Sequence, residues 1–453
     1  MTDTRYLLAD EPVDDVADWM SHGGGDGLAE AQRVGPAGVI EAVRSARLRG
    51  RGGAGFPTGI KWSGVADRPT DQKGYVVCNA AEGEPGTFKD RMLMRSNPYQ
   101  VLEGLAIAAF AVGADTAYIG IKETYELEIA RLGAAAAEMD QRDLLGDVDI
   151  RIVTGPDDYL LGEEKGLLEA IEGRDPLPRL LPPYLHGLHT EMSSGVGSGS
   201  VGWDTAYNPT VVNNVETLSH VPHILEKGAD WFRSVGSEDA PGSMVFTISG
   251  DVQRESVVEL PSGVPLSVLV HGVGEGTRSG ESVQFVLSGA SNAPIAARDI
   301  DVPMDFGSMS ALGSGLGSGG FIVGGDTTCP VRSVEVLADF LAIESCGQCP
   351  PCKLGTGGLA SGLGGLDGPK GESDLDEIAG WLGRVTDANR CGLGAGARAL
   401  VGGLLREFAG HVADHIDGRC SADGALPLAK LVDYLPEAGR FVLDDGYFAR
   451  RAR

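Results

Sequence analysis

Gly74-Tyr75-Val76-Val77-Cys78-Asn79-Ala80-Ala81-Glu82-Gly83-Glu84-Pro85-Gly86-Thr87-Phe88-Lys89-Asp90 is the stretch whose reading decides the fold. Residues 74–79 form a short β-prone apolar run that ends in a polar, glycine-bearing loop. A buried strand of an open α/β sheet delivers a ligand loop at its carboxyl end in this way. Downstream, 98–112 reads as a buried helix, 117–121 as a strand, 125–139 as an alanine-rich helix and 148–153 as an alternating strand. Upstream, a leader covers residues 1–35, with a flexible turn at 21–27 and a short helix at 28–33. Pro36 then opens a helix that places Val39, Ile40, Val43 and Ala46 at helical spacing. Strands that alternate with helices predict an α/β layer.

Beyond this layer, 176–209 is rich in Pro, Gly and Ser and reads as a loop or crossover, followed by a helix over 213–226. The runs 245–248 and 256–260 predict paired strands, 266–270 a short helix and 283–287 another strand, a ββαβ pattern suited to a small β-grasp-like module. A glycine-serine linker covers 305–320. Helices are expected near 334–344, 374–384, 395–416 and 426–436, together a helical bundle.

The chain has 453 residues, 42% hydrophobic and 22% charged, which is ordinary globular composition with length for about three domains. Its 68 glycines are about twice the usual share. The formal net charge of −27 argues against a general nucleic-acid or anionic-membrane binder, since both need a positive surface. The acidic N-terminus shows no signal-peptide pattern. The most apolar stretch, 101–121, contains Glu103, Asp115 and Tyr118 and reads as helix, turn and strand rather than as a membrane span. These features predict a soluble cytoplasmic protein whose seven cysteines serve thiol or metal chemistry.

Cys346-Gly-Gln-Cys349-Pro-Pro-Cys352, with Cys391 farther on, is the strongest chemical signal. Two-residue gaps let three sulfurs converge from one turn of chain, and a remote fourth closes the shell. All-thiolate shells suit iron–sulfur clusters, and this run suits three corners of a [4Fe–4S] cube. A structural Cys₄ zinc site is the alternative, although such sites usually pair two C-x-x-C knuckles. Cys78, Cys329 and Cys420 read as buried or incidental thiols, and His411 and His415 as surface or cap residues. The basic end 449–453 reads as a solvated tail or docking contact.

Gly50-Arg51-Gly52-Gly53-Ala54-Gly55-Phe56-Pro57-Thr58-Gly59-Ile60-Lys61-Trp62 contains G-x-G-x-x-G. A helical pattern precedes it and Pro57 follows, so the strand–loop–helix context of the dinucleotide fingerprint is missing. Its glycines can still expose backbone N–H groups to a phosphate, with Arg51 and Lys61 supplying charge. The alternative is an ordinary mobile loop. In the second loop, Glu82 and Glu84 can accept hydrogen bonds from ribose hydroxyls while disfavouring a 2′-phosphate; a solvated acidic turn is the alternative. Tyr159-Leu-Leu-Gly162-Glu163-Glu164 and Val212-Asn213-Asn214-Val215-Glu216-Thr217 add further polar groups.

Taken in order, these motifs, together with Glu344-Ser-Cys-Gly-Gln-Cys-Pro-Pro-Cys352, resemble the NADH-binding flavoprotein (51 kDa type) subunit of respiratory complex I and the related diaphorase subunits of NAD-linked formate dehydrogenases and hydrogenases. The resemblance spans roughly residues 35–440. It implies an α/β protein: a Rossmann-like FMN- and NADH-binding domain over 36–240, a β-grasp (ubiquitin-like) module over 241–325, a helical bundle carrying a [4Fe–4S] cluster over 326–440, and a tail over 441–453. It also implies hydride transfer from NADH to FMN and one-electron transfer onward to the cluster. By position, Gly50, Arg51, Gly52, Gly53 and Lys61 cradle the FMN phosphate, and Asn79, Tyr159, Gly162, Asn213, Asn214 and Thr217 line the FMN. Phe56, Glu82, Glu84, Glu163 and Glu164 face NAD(H), and Cys346, Cys349, Cys352 and Cys391 bind the cluster. No side chain is implied as an acid–base catalyst.

The implied partners are a small thioredoxin-like [2Fe–2S] subunit and a larger iron–sulfur subunit. Nucleic acid and direct membrane insertion are not implied; the expected location is cytoplasmic, peripheral on the inner membrane face through partners. The chain departs from the family where Ala81 replaces an Asp, Lys165 a Thr, Gly64 an aromatic and Tyr184 a Phe. A lost acceptor and a lost stacking ring would cost nucleotide binding roughly 1–3 kcal/mol. The departures therefore motivate an alternative: a non-catalytic scaffold that binds the cluster and FMN but has lost NADH.

Overall fold

The computed structural model describes residues 5–69, 72–190, 207–278, 280, 282–367, 371–386, 388–420, 422, 424–428 and 430–451. The middle of the expected crossover (191–206), the start of the leader and the last two tail residues lie outside the described residues. The chain divides into two units, residues 5–82 with 90–235 and residues 83–89 with 236–451.

The first unit comprises α1 (Val16–Ser21), α2 (Asp26–Ser45), α3 (Thr58–Ala66), β1 (Tyr75–Ala80), α4 (Lys89–Ser96, begun at the boundary), α5 (Pro98–Val112), β2 (Thr116–Lys122), α6 (Glu126–Gln141), β3 (Asp149–Gly155), α7 (Glu164–Ile171), β4 (Thr210–Asn214), α8 (Val215–Lys227) and α9 (Ala229–Arg233). The strands form a parallel sheet in the order β3-β2-β1-β4, so the expected Rossmann-like α/β layer is present. Val76, Val77 and Cys78 are wholly buried, as the continuous apolar run of an interior parallel strand requires. Helix α5 is sealed by the Asn97 side chain accepting Gln100 N–H, by Pro98 in its first turn, and by left-handed Gly113 after its end. Nearly every residue of α5 is buried, and it packs against α2, α6 and α8. The apolar stretch at 101–121 is thus the core of this unit. Helix α2 is kinked at Gly35 (φ 74) before Pro36, which joins the two helices expected on either side.

Strand β4 differs from the sequence expectation. The sequence pattern runs a helix from residue 213, whereas Thr210–Asn214 pairs in parallel with β1 and α8 starts only afterwards. Five residues are too few for a period to declare itself; pairing with β1 decides the conformation.

The second unit contains β5 (Ser243–Gly250), β6 (Ser256–Pro261), a π-helical segment (Val268–Val273), β7 (Val283–Ser288), β8 (Ile295–Ala296), α10 (Phe306–Ala311) and β9 (Gly320–Gly325). These strands form one mixed sheet in the order β6-β5-β9-β7-β8, with β5 and β9 parallel and the other neighbours antiparallel. Met244, Phe246, Leu269, Val286, Phe321 and Val323 centre its core. The central strand β9 is not apparent in the sequence because glycines at 320, 324 and 325 mask its β signal.

Beyond the sheet come α11 (Pro330–Glu344), α12 (Pro350–Gly365), α13 (Gly371–Arg384), α14 (Leu393–Glu407), α15 (Ala409–Ile416), the hairpin of β10 (Leu431–Leu435) and β11 (Arg440–Leu443), and α16 (Tyr447–Arg451). Helix α11 packs on α12 and α14, and α12 on α13 and α14. The glycines of α12 permit close approach: a Cβ at Gly358 would lie 2.2 Å from the Trp381 ring, and one at Gly362 2.5 Å from Ile378. The helix expected over 426–436 is a correction. Leu431–Leu435 is a strand, because Pro436 and left-handed Gly439 turn the chain back onto β11. No helix among the described residues is long and apolar enough to cross a membrane.

Candidate cofactor sites

In the first unit, the chain runs from β1 to β2 to β3 in one direction across the sheet, while β4 lies on the other side of β1. The order therefore reverses between β1 and β4, the place where open α/β sheets form a crevice at the strands' carboxyl ends. Asn79 pairs with Asn214 in register, next to Cys78 with Asn213, at that end. The three asparagines are held by named partners. Asn79 Nδ2 donates to Gly162 O (2.7 Å), Trp62 Nε1 to Asn213 Oδ1 (2.7 Å), and Asn214 Nδ2 to Asp90 Oδ2 (2.5 Å).

The glycine loop reaches the same place. Arg51 N–H donates to Thr217 Oγ1 (2.8 Å), and a Cβ on Gly52 would sit 3.1 Å from Asn214 Cβ. Gly53 (φ 116) and Gly55 (φ 62) adopt left-handed backbone. Gly50 N donates to Phe56 O (2.9 Å), closing the loop, and Phe56 is exposed. The Arg51 side chain turns inward and is wholly buried. Burial draws its guanidinium below the ordinary value, and buried Glu216 opposes that pull.

Lys61 Nζ donates to Glu164 Oε2 (2.8 Å) and to Val212 O (2.8 Å). Glu163 caps α7, accepting from Lys165 N (2.9 Å) and Gly166 N (2.9 Å); burial raises its carboxyl to about 7, against those donors and the Lys165 ammonium. Tyr159 and Gly162 lie on the 3₁₀ turn before α7. Glu82 caps α4, accepting from Asp90 N (3.1 Å) and Arg91 N (3.4 Å). Gly50–Gly53, Lys61, Asn79, Gly162, Glu164, Asn213, Asn214 and Thr217 are therefore linked by contacts around the ends of β1 and β4. Sequence reasoning missed Trp62 and Asp90 as the residues that orient Asn213 and Asn214, although both lie inside the motifs quoted above.

Of the departures, Ala81 is buried among Leu161, Leu167 and Leu168. Lys165 pairs with Glu163 (3.8 Å), Gly64 faces open space, and Tyr184 is exposed. Buried Cys78 has its thiol raised far above the ordinary range by burial, an inert state.

Glu84 belongs to the second unit, where its carboxylate accepts from Ala290 N (2.6 Å). The same unit holds the cysteine motif. Cys346 and Cys349 lie on the α11–α12 connection, Cys352 in the first turn of α12, and Cys391 just before α14. Arg390 N donates to Cys349 Sγ (3.4 Å) and Gln348 Nε2 to Cys346 Sγ (3.6 Å). Ser345 Oγ lies 3.4 Å from Cys352 Sγ, and a Cβ on Gly394 would lie 3.4 Å from that sulfur. N–H groups donate to the Cys346 and Cys349 sulfurs and a hydroxyl lies beside that of Cys352, surroundings that fit thiolate ligands of a cluster, whose potential such donors tune. Burial raises the Cys352 thiol and Ser345 opposes it.

Residues 43–223 match the family model of the Nuo51 FMN-binding domain, and residues 332–415 that of the NADH-ubiquinone oxidoreductase-F iron-sulfur binding region. This agrees with the iron–sulfur reading of the cysteines rather than the zinc one. The chain is 38% identical over 393 residues to an NADH-quinone oxidoreductase F-type subunit of Rhizobium meliloti (strain 1021), covering 84% of this chain and 89% of the relative. It is 34% identical over 414 residues to the NADP-reducing hydrogenase subunit HndC of Solidesulfovibrio fructosivorans, covering 89% and 81%. A crystal structure of an NAD⁺-reducing [NiFe]-hydrogenase in the H₂-reduced state superposes with a TM-score of 0.76 at 31% identity, over 90% of this chain and 68% of that chain. With a parallel sheet whose carboxyl-end asparagines meet a glycine loop, and a four-cysteine set among its later helices and their connections, the chain belongs to the family of FMN- and [4Fe–4S]-binding NADH dehydrogenase subunits that includes the F-type subunits of NADH-quinone oxidoreductase.

Proposed function

We propose that this chain is the NADH-oxidising (or NAD⁺-reducing) input module of a multi-subunit redox complex, of the complex I or NAD-linked hydrogenase or formate dehydrogenase kind. The observation that carries the reading is the occurrence in one chain of the β1/β4 crevice, furnished by the glycine loop and three oriented asparagines, and of the four-cysteine set. When bound, FMN supplies the two-electron to one-electron conversion between NADH and the cluster.

In this reading the backbone amides of Gly50–Gly53 and the Lys61 ammonium hold the flavin phosphate. Asn79, Asn213 and Asn214, each fixed by a hydrogen bond of its own, orient the flavin edge, with Tyr159, Gly162 and Thr217 beside them. Phe56, Glu82, Glu84, Glu163 and Glu164 serve NAD(H). Cys346, Cys349, Cys352 and Cys391 ligate the cluster. The protein's part is binding and orientation, since placing donor and acceptor in one fixed geometry removes much of the barrier.

The order β6-β5-β9-β7-β8 supports a β-grasp module over 241–325, and the packing of α11–α14 supports a cluster-bearing helical bundle over 326–440. The relatives named above are subunits of larger assemblies, which supports partner subunits for this chain; in this reading they are a small [2Fe–2S] subunit and a larger iron–sulfur subunit, with a cytoplasmic, peripheral place.

The test is the visible spectrum of anaerobically purified protein before and after NADH. Flavin absorbance that NADH bleaches is the expected result. Flavin that ignores NADH but bleaches with dithionite would establish the scaffold reading instead, and absence of both flavin and iron would overturn both.

A further inference from the structure

The helices of the second unit gather a second set of metal-ligating side chains. Cys329 precedes α11 as its N-cap, His415 lies in the last turn of α15, and Cys420 follows that helix. Cys329 Sγ is 2.9 Å from His415 Nε2, Cys420 Sγ is 4.0 Å from Cys329 Sγ, and the three ligand atoms lie within 4.8 Å of one another. In the sequence alone both cysteines read as incidental and His415 as a surface or cap residue. In the fold, Cys329 and His415 are buried and Cys420 is half-buried.

The surroundings suit a cation. His415 Nδ1 bonds to the Asp367 carboxylate, and Asp367 in turn pairs with Arg332. A carboxylate that takes Nδ1–H directs the Nε2 lone pair at the two sulfurs, the arrangement that supports metal-bound histidine. Past Cys420, Gly424 O accepts from Cys329 N (2.8 Å), a second tie between the start of α11 and the chain after α15. Two thiolates and one neutral imidazole would give zinc(II) a charge-balanced buried shell of its preferred ligands. Tetrahedral zinc places two sulfurs roughly 3.8 Å apart and sulfur and nitrogen about 3.6 Å apart. The sulfurs already lie close to that spacing, and the Cys329–His415 pair needs to open by about 0.7 Å.

We propose that Cys329, His415 and Cys420 bind a structural zinc ion, with Asp367 positioning His415 and the fourth position left to a water. The site would join the two ends of the segment that carries Cys346, Cys349, Cys352 and Cys391, so that zinc affinity becomes stability of the cluster-bearing helices. No redox step is involved: the two thiols lose protons to solvent as zinc binds.

The test uses the full chain, purified anaerobically with its cluster from zinc-supplemented cells. The expected result is one zinc per chain in addition to iron, with sulfur and nitrogen neighbours in the zinc X-ray absorption spectrum. Cys420→Ser should lose the zinc and keep the iron. Asp367→Asn, the gentler change, should weaken zinc retention against a chelator about 10–100-fold with iron content unchanged. If the cysteine variants do not fold, replacing zinc by cobalt(II) in the parent chain should give thiolate-to-cobalt absorption bands. The proposal is overturned by a zinc-free chain with both thiols reduced, by a Cys329–Cys420 disulfide in mass spectra, or by zinc that disappears in Cys346→Ser but survives in Cys420→Ser.

Discussion

The Lys61 ammonium lies 2.8 Å from the Glu164 carboxylate, with its other contact on the Val212 carbonyl at 2.8 Å. A cation assigned to the flavin phosphate and a carboxylate assigned to the nicotinamide nucleotide thus form one pair, on the β4 side of the crevice. The two assignments separate by mutation. Lys61→Ala should weaken flavin binding by about tenfold or more, the worth of one charge-assisted hydrogen bond of about 1.5–3 kcal/mol. Glu164→Gln should retain flavin and raise KM for NADH. Flavin fluorescence titration and NADH oxidation kinetics read the two effects; equal flavin loss in both variants would mean that the pair is structural.

Gly104 tests how tightly α5 and α8 are packed. A Cβ there would lie 2.0 Å from the Leu218 carbonyl oxygen, a backbone atom that cannot swing aside. Gly104→Ala should destabilise the first unit by about 3 kcal/mol, the upper end for overpacking. Its thermal midpoint should fall, while Gly64→Ala, where a Cβ meets open space, should leave the midpoint nearly unchanged.

Glu103 gives the first unit a pH dependence. Burial raises its carboxyl to about 7, although Leu28 N donates to it (3.0 Å). Because the folded value lies above the unfolded one, the native state holds the proton more tightly. This stabilisation is complete below about 4.5 and is lost as pH rises through about 7. Glu103→Gln keeps an acceptor for Leu28 and removes the charge. Relative to the parent, it should gain up to about 3 kcal/mol between pH 4 and pH 8. Denaturation midpoints of both proteins across that range decide the matter, and a constant difference would contradict the assignment.

The cluster and the flavin belong to separate units and should be lost separately. Cys391→Ser should abolish the iron–sulfur electron paramagnetic resonance signal of the reduced protein while NADH still bleaches the flavin. Loss of flavin along with the cluster would show that the two sites are not independent.

Much of the fold is legible in the chain itself. Strand β1 and helix α5 announce themselves because each is a long enough apolar run bounded by its own punctuation, the loop after Asn79 in one case and Asn97-Pro98 with Gly113 in the other. The C-x-x-C-x-x-C run is equally local. Strand β9 is hidden because its glycines carry no β preference. Helix α12 is hidden because its glycines weaken every helical signal until α13 packs against them.

The order of the motifs, the α/β layer and the C-x-x-C-x-x-C run are read from the sequence alone, since each depends on residues close together in the chain. Only the tertiary structure decided that β4 lies beside β1, that Trp62 and Asp90 hold the asparagines, that Lys61 meets Glu164, and that Cys329, His415 and Cys420 converge. Cys329 and His415 are 86 residues apart, and Trp62 and Asn213 are 151 apart. At such separations no local periodicity records a partner. The contact exists only because hydrophobic packing of whole helices and strands brings the two backbones together and recovers the entropy lost in closing the loop.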